Sequence, residues 1–150
     1  MSHTFTNLLY HIVFSTKNHE PFIDAELKPR LHGYMDGIAK ELSAKPFVTN
    51  GTADHAHSLV AAPPNLCVSD LLRVLKTNSS RWVHEQFPNR AAFAWQAGYG
   101  AFTVSKSNCD AVFRYITNQE PHHRGMTFQE EFPALLKKHG IEYDERYIWE

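Results

Sequence analysis

At 150 residues, with 43% hydrophobic and 21% charged residues, the chain has the size and composition of one folded domain, which excludes a disordered polymer. A net charge of -1, with ten histidines counted neutral, excludes a uniformly basic nucleic-acid coat, so a polyanion would have to meet positive charge concentrated locally. Cys67 and Cys109 lie far apart without metal-type spacing, the start MSHTFTNLLYHIVFST lacks a basic leader and cleavage site, and no segment approaches a membrane span. A single cytoplasmic domain over residues 1–150 is expected.

In chain order, Leu8 to Ser15 is rich in aromatic and β-branched residues and predicts a strand. Leu27, Leu31, Tyr34, Met35, Ile38 and Leu42 recur at helical spacing, with Pro29 in the first turn. Lys45 to Thr49 reads as a short strand, and Asn50-Gly51 reads as the turn of a hairpin into a third strand, His55 to Ala61. Pro63-Pro64 stops that strand. Ser69-Asp70 opens a long helix to about Phe87, and Gly100 to Ser105 is a fourth strand. Ser107 with Asp110 resembles a capping box ahead of a helix over residues 110–119. Thr127 with Glu130 repeats that signal for a last helix carrying Phe128, Phe132, Leu135 and His139 on one face and ending at Gly140. The order β-α-β-β-α-β followed by helices predicts an α+β, ferredoxin-like antiparallel four-stranded sheet with helices packed on it.

The chemistry-bearing residues fall in two segments. On a strand, His55 and His57 point from one face with Cβ atoms about 7 Å apart, close enough to converge on one divalent ion. Two imidazoles alone hold a metal weakly, and a pair of surface or hydrogen-bonded histidines is the plainer reading of an isolated His-x-His. In FRYITNQEPHHR, Tyr115 and Gln119 stand four apart on one helical face, and His122 continues it a turn later; Tyr115 also reads as an amphipathic core residue. Taken together, two imidazoles and a carboxamide oxygen form a sensible set for Mg²⁺ or Mn²⁺ with positions open to a phosphate oxygen. A tyrosine beside such a site can act as a nucleophile.

His55-Ala56-His57 is similar to the histidine-hydrophobic-histidine signature of the HUH endonucleases, and Tyr115 followed by Gln119 resembles the single-tyrosine transposases of that superfamily. The likeness extends through YHIVFSTK, NGTADHAHSLV, SDLLRVLKTNSSRW, GYGAFTVS, YITNQEPHHR and HGIEYDERY. It implies an enzyme that moves insertion sequences as single-stranded DNA, recognising hairpins at element ends. Its tyrosine would attack a phosphodiester to leave a 5′-phosphotyrosine link and a free 3′-hydroxyl. By the resemblance Tyr115 is the nucleophile and His55, His57 and Gln119 bind Mg²⁺ or Mn²⁺, with no organic cofactor. A homodimer is also implied, in which the tyrosine helix of one subunit can face the histidines of the other. The chain departs from the family pattern at Ala56 and Ser58, where bulkier aliphatics are usual, and Pro121 interrupts the helix after Gln119.

For DNA contact, the polar side of the long second helix offers Arg73, Lys76 and Arg81, with Thr77, Asn78 and Ser80 as donors; an ordinary solvated helix face is the other reading. Lys17, Arg114 and Arg124 can extend the patch, and His122 and His123 strengthen it at lower pH. Trp95, Tyr99 and Phe102 read as core or interface ahead of base-stacking platforms. The acidic, aromatic tail is expected to pack on its own domain or a partner subunit. A catalytically inactive hairpin-DNA-binding protein descended from such a transposase is the alternative function, motivated by Ala56 and Ser58. A metal-dependent hydrolase without a covalent step is a third, against which no Asp or His closely follows His57.

Overall fold

The computed structural model describes residues 3–150. Its sheet is built from β1 (Leu9–Ser15), β2 (Lys45–Thr52), β3 (His55–Ala61) and β4 (Gly100–Val104), all antiparallel in the order β2-β3-β1-β4. The helices are α1 (Leu27–Glu41), α2 (Val68–Gln86), α3 (Cys109–Thr117), α4 (Gln119–His122) and α5 (Phe128–Lys138). This is the ferredoxin-like order expected from the sequence. None of the helices among the described residues is long and apolar enough to cross a membrane.

Strand alternation sorts the sheet into two faces. Ile12, Phe14, Ala56 and Val60 pack against Leu31, Met35, Leu71, Leu72 and Leu75 of α1 and α2. On the other face, Leu9, Leu59 and Val104 meet Ile116 of α3, and Val13 and Phe102 meet Phe128, Phe132, Leu135 and Leu136 of α5. The sheet is thus sandwiched, and His11, His55 and His57 belong by alternation to the α3–α5 face. The tail packs there too: Tyr143, Ile148 and Trp149 lie against the α5 cluster, and the Glu150 carbonyl accepts from the Gly98 N–H at 2.8 Å.

Two local expectations are corrected. Asn50-Gly51 is not the hairpin turn: β2 runs on to Thr52, opposite His55, and Ala53-Asp54 form the two-residue loop. The glycine serves close approach instead, since a Cβ at Gly51 would overlap the His55 carbonyl oxygen. Asn50 is used as a tie, its amide donating to the carbonyls of Ile116 (2.9 Å) and Thr117 (3.1 Å). The second correction concerns residues 107–119. Ser107 and Asp110 form no capping box, because Asn108 occupies the N-cap without a side-chain bond. The helix itself breaks at Asn118, and a short α4 follows. By contrast, the Thr127 box forms in both directions, the Glu130 N–H donating to Thr127 Oγ1 and the Thr127 N–H to Glu130 Oε1, each at 3.2 Å. Gly140, at φ +67°, ends the chain's last helix as expected.

Candidate functional site

β3 is the inner strand paired to both β1 and β2, so the backbone under His55 and His57 is fixed from two sides. Their cross-strand neighbours are Ser15 and Val13 on β1 and Thr52 and Asn50 on β2. Ala56 and Ser58 point to the other face. Ala56 is core, and Ser58 Oγ accepts from Thr49 Oγ1 at 3.0 Å, so the smaller residues at these positions are absorbed by packing.

Both imidazoles are fully buried, and each is held through Nδ1. His55 Nδ1 donates to Asp54 Oδ1 at 2.8 Å, and the His55 ring stacks on Phe128 with centroids 4.4 Å apart. His57 Nδ1 lies 2.7 Å from Nε2 of His11, whose ring also packs against Phe102 and Tyr115. The two Nε2 atoms point at the helical layer: His55 Nε2 lies 2.9 Å from Gln119 Oε1, and His57 Nε2 lies 3.1 Å from Glu131 Oε1.

Glu131, on α5, is the hub. Its Oε1 also receives His123 Nε2 at 2.9 Å, and its Oε2 accepts from Gln119 Nε2 at 3.2 Å and from the Tyr115 hydroxyl. His122 Nε2 stands 3.4 Å from Oε2 without a hydrogen bond, its ring against that of Tyr115. Tyr115, Gln119, His55 and His57 therefore meet within one protomer, and the break at Asn118 does not separate the first two.

Burial lowers the His57 imidazole to about 4, against the opposing pull of the Glu131 carboxylate. His11 is lowered to about 3 by burial and then by His57. For Glu131, burial alone would raise the carboxyl. Hydrogen bonds from His57 and Tyr115 outweigh it and hold the group below the usual carboxylate range. The Tyr115 phenol is pushed above its ordinary range by burial first and by Glu131 second. Around neutral pH the buried carboxylate of Glu131 therefore faces an uncharged His57, backed by an uncharged His11.

The donor set fits a cation. Asp54 accepts from His55 Nδ1, which leaves Nε2 as the ring nitrogen available to a ligand. Gln119 is oriented by its amide donating to Glu131, so its carbonyl oxygen faces that same nitrogen at 2.9 Å. A ring nitrogen and a carbonyl oxygen at that distance can share one cation. His55, His57 and Glu131 also offer ligand atoms within 4.8 Å of one another.

The predicted DNA-contact residues lie elsewhere. Arg73, Lys76 and Arg81 are on α2, across the sheet from the imidazoles. Arg73 and Arg81 are exposed, with Arg73 pairing Asp70 at 3.5 Å. Lys76 turns inward instead, donating to the carbonyls of Gln96 (3.0 Å), Ala97 (3.3 Å) and Gly98, and burial lowers its ammonium to about 8. Trp95 and Phe102 are core, while Tyr99 is exposed beside an open groove of about 440 Å³ lined by Arg73, Thr77 and Ser80.

Glu131, His123 and His11 are the site residues that sequence reasoning missed. Each left a signal. Glu131 falls on the apolar stripe of α5, three after Phe128 and four before Leu135, where a carboxylate is out of place. His123 stands four after Gln119, the spacing that linked Tyr115 to Gln119. His11 alternates with Leu9 and Val13 on an inward face.

A β2-β3-β1-β4 antiparallel sheet whose inner strand turns a His-x-His pair toward a helix-borne tyrosine and glutamine brings together the residues that carry the resemblance to the single-tyrosine HUH transposases. The chain belongs to the IS200-like transposase family, whose model, described as "Transposase IS200 like", matches residues 4–119. Glu131 and His123 lie beyond that match. The transposase for insertion sequence element IS200 of Salmonella typhimurium is 30% identical over 124 residues, covering 79% of this chain and 81% of the relative. The ISDra2 transposase TnpA of Deinococcus radiodurans is 24% identical over 117 residues, covering 75% and 84%. Among solved structures, a candidate transposase from Deinococcus radiodurans superposes with a TM-score of 0.64 at 24% identity, covering 79% of this chain and 95% of that one. A REP-associated tyrosine transposase bound to a REP hairpin gives 0.60 at 13% identity, covering 95% and 89%. At these identities the two structures support the fold.

Proposed function

We propose that the protein cleaves and rejoins single-stranded DNA at hairpin-containing element ends through a covalent 5′-phosphotyrosine at Tyr115. The observation that carries this reading is the Tyr115 hydroxyl donating to the same buried carboxylate that accepts from His57. Burial and the Glu131 carboxylate disfavour the phenolate, so the proton leaves Tyr115 only as the new bond forms; Glu131, in contact with the hydroxyl and held below the usual carboxylate range, can relay that proton but not keep it. Tyr115 Oη attacks the phosphorus as the bond from phosphorus to the 3′-oxygen breaks; the phenolic proton passes to Glu131 and on to the departing 3′-oxygen, which leaves as the free hydroxyl end. The phosphodiester energy is retained in the phosphotyrosine, so rejoining needs no ATP.

His55, His57 and Gln119, with Glu131 added, would hold a divalent metal, Mg²⁺ or Mn²⁺. Such an ion supplies positive charge to the phosphoryl oxygens as charge builds on them. The His11–His57 contact serves either His57 tautomer, because His11 Nε2 can donate or accept. Arg73 and Arg81, with Thr77 and Ser80, offer phosphate contacts along α2. A hairpin as partner is supported by the REP hairpin bound to a protein of the same fold. The reading further includes action in the cytoplasm as a homodimer without an organic cofactor.

The test is a denaturing-gel assay with hairpin-containing single-stranded DNA and Mn²⁺ or Mg²⁺. A covalent protein-DNA adduct is expected from the wild type and none from Tyr115→Phe. Equal adduct from the mutant would overturn the role of Tyr115.

A further inference from the structure

We infer that a pocket between α3 and α5 holds the nucleobase on the 3′ side of the cleaved phosphate, with Asn108 and His139 reading its edge. This rests on the reading of Tyr115 as the nucleophile, and it deepens that reading by placing one nucleotide of the substrate.

The pocket lies against Tyr115 and the buried His11. Val112 of α3 and Leu135 of α5 give it apolar walls, and the exposed Asn108, Lys138 and His139 give it a polar rim. Its volume of about 230 Å³ is below the range of roughly 300 to 1,000 Å³ that drug-sized ligands occupy, which suits a single flat heterocycle. Other hollows are placed differently. The one bounded by Asp54, His123 and Arg124 lies beside the imidazoles without touching Tyr115, and the groove over α2 is across the sheet.

The rim carries hydrogen-bonding groups that the fold does not use. Asn108 occupies the N-cap of α3 without the side-chain bond usual at that position, so its carboxamide is free to donate and to accept. His139 Nδ1 is engaged by the Leu135 carbonyl at 2.8 Å, which leaves Nε2 as the free ring nitrogen. The His139 ring is also fixed in plane, stacked on Phe102 with centroids 4.1 Å apart and 13° between the rings. A fixed aromatic plane beside a free carboxamide is a fitting receptor for a base.

The chemistry says which base. In-line displacement puts the attacking and leaving oxygens on opposite sides of the phosphorus. The strand that departs with the 3′-oxygen therefore points away from Tyr115. The nucleotide that keeps the phosphate is free to fold back beside the phenol, and the pocket walled by that phenol is within its reach. Lys138 at the rim then meets the backbone and not the base.

The experiment uses the full chain, hairpin-containing single-stranded DNA and Mn²⁺. The cleaved phosphate is located from the wild-type adduct, and single-turnover adduct rates are measured with each base, and with an abasic nucleotide, on its 3′ side. The wild type is expected to prefer one base, adenine being the one a carboxamide reads on two atoms, and to slow roughly tenfold on the abasic strand. Asn108→Ala and His139→Ala should each flatten the preference and lose little more on the abasic strand. Lys138→Ala should slow all substrates alike and keep the preference. An abasic nucleotide on the 5′ side should cost less than one on the 3′ side. Adduct formation indifferent to the 3′ base, or a preference unchanged in both Asn108→Ala and His139→Ala, would overturn the assignment while leaving Tyr115 as the nucleophile. A changed oligomeric state in Asn108→Ala with the preference intact would make the pocket a contact between copies and overturn it too. Absence of any adduct from the wild type would remove the underlying reading and the assignment with it.

Discussion

His32, on α1, is only 7% exposed, and its Nε2 has no hydrogen-bond partner. Burial, followed by the charge of Lys28, lowers the imidazole from 6.5 to about 4. Between those values the unfolded chain binds a proton that the folded chain refuses. Stability therefore falls as pH drops through this window and is flat above it. At 1.36 kcal/mol per pKa unit, the loss attributable to His32 is on the order of 3 kcal/mol. His32→Leu should flatten the acid limb by that order when urea unfolding is compared at about pH 7 and about pH 4. A limb of unchanged steepness would mean that His32 is charged in the fold. His11 and His57 act in the same direction but belong to the site, which makes His32 the cleaner probe. Within the site, Glu131→Gln keeps the shape but removes the proton acceptor for Tyr115. Single-turnover adduct formation should slow by about 10² to 10⁴, the range of general-base catalysis, with the far-UV spectrum unchanged. Wild-type rates in that variant would exclude Glu131 as the base.

Elements hold these residues in register, and the hairpin between β2 and β3 is the most demanding. Gly51→Ala pushes a methyl into the His55 carbonyl, so the strand pair that carries both imidazoles has to shift. Overpacking of this kind costs about 1 to 3 kcal/mol, and the urea midpoint should fall accordingly. Thr127→Ala, which opens the capping box of α5, should cost about 1 kcal/mol by the same measurement. These two positions also mark how far sequence reasoning reaches. The Thr127 box was legible because its chemistry is local: three residues satisfy each other whatever surrounds them. The role of Gly51 was not, because Asn-Gly satisfies turn chemistry equally well, and only the partner strand's carbonyl decides that the glycine serves close approach. His55, His57, Tyr115 and Gln119 were readable as a set through spacing and family likeness. Glu131 left only its place on the apolar stripe of α5, which was passed over because a glutamate on a capped amphipathic helix usually meets solvent. Lys76 misled for a related reason, since a lysine on a polar helix face gives no sign that three loop carbonyls take its ammonium.

At the scale of the whole molecule, the site is divided between layers. The sheet contributes His55 and His57, and the carboxy-terminal helical layer contributes Tyr115, Gln119, His123 and Glu131. Direct ties between them include the Asn50 amide on the end of α3 and the contacts of Val13 and Phe102 with α5. A cation at the shared centre would bind the native docking and not the unfolded chain, so it should act as a clamp across the two layers. Mass action gives about 2.7 kcal/mol at an ion concentration 100 times Kd. For a chain of this size each kcal/mol raises Tm by roughly 2 to 4 °C. Mn²⁺ should therefore raise the melting temperature by about 5 to 10 °C at that ratio, and the rise should vanish in the double variant His55→Ala/His57→Ala. Hydrogen exchange distinguishes a clamp from general stabilisation. Amides of α3 and α5 should gain protection with Mn²⁺ more than those of α1 and α2, because only the first pair must stay docked for the ligands to converge. Equal gains on both faces of the sheet would mean that the helical layer never leaves it short of global unfolding, and that the site is prebuilt before any ion arrives.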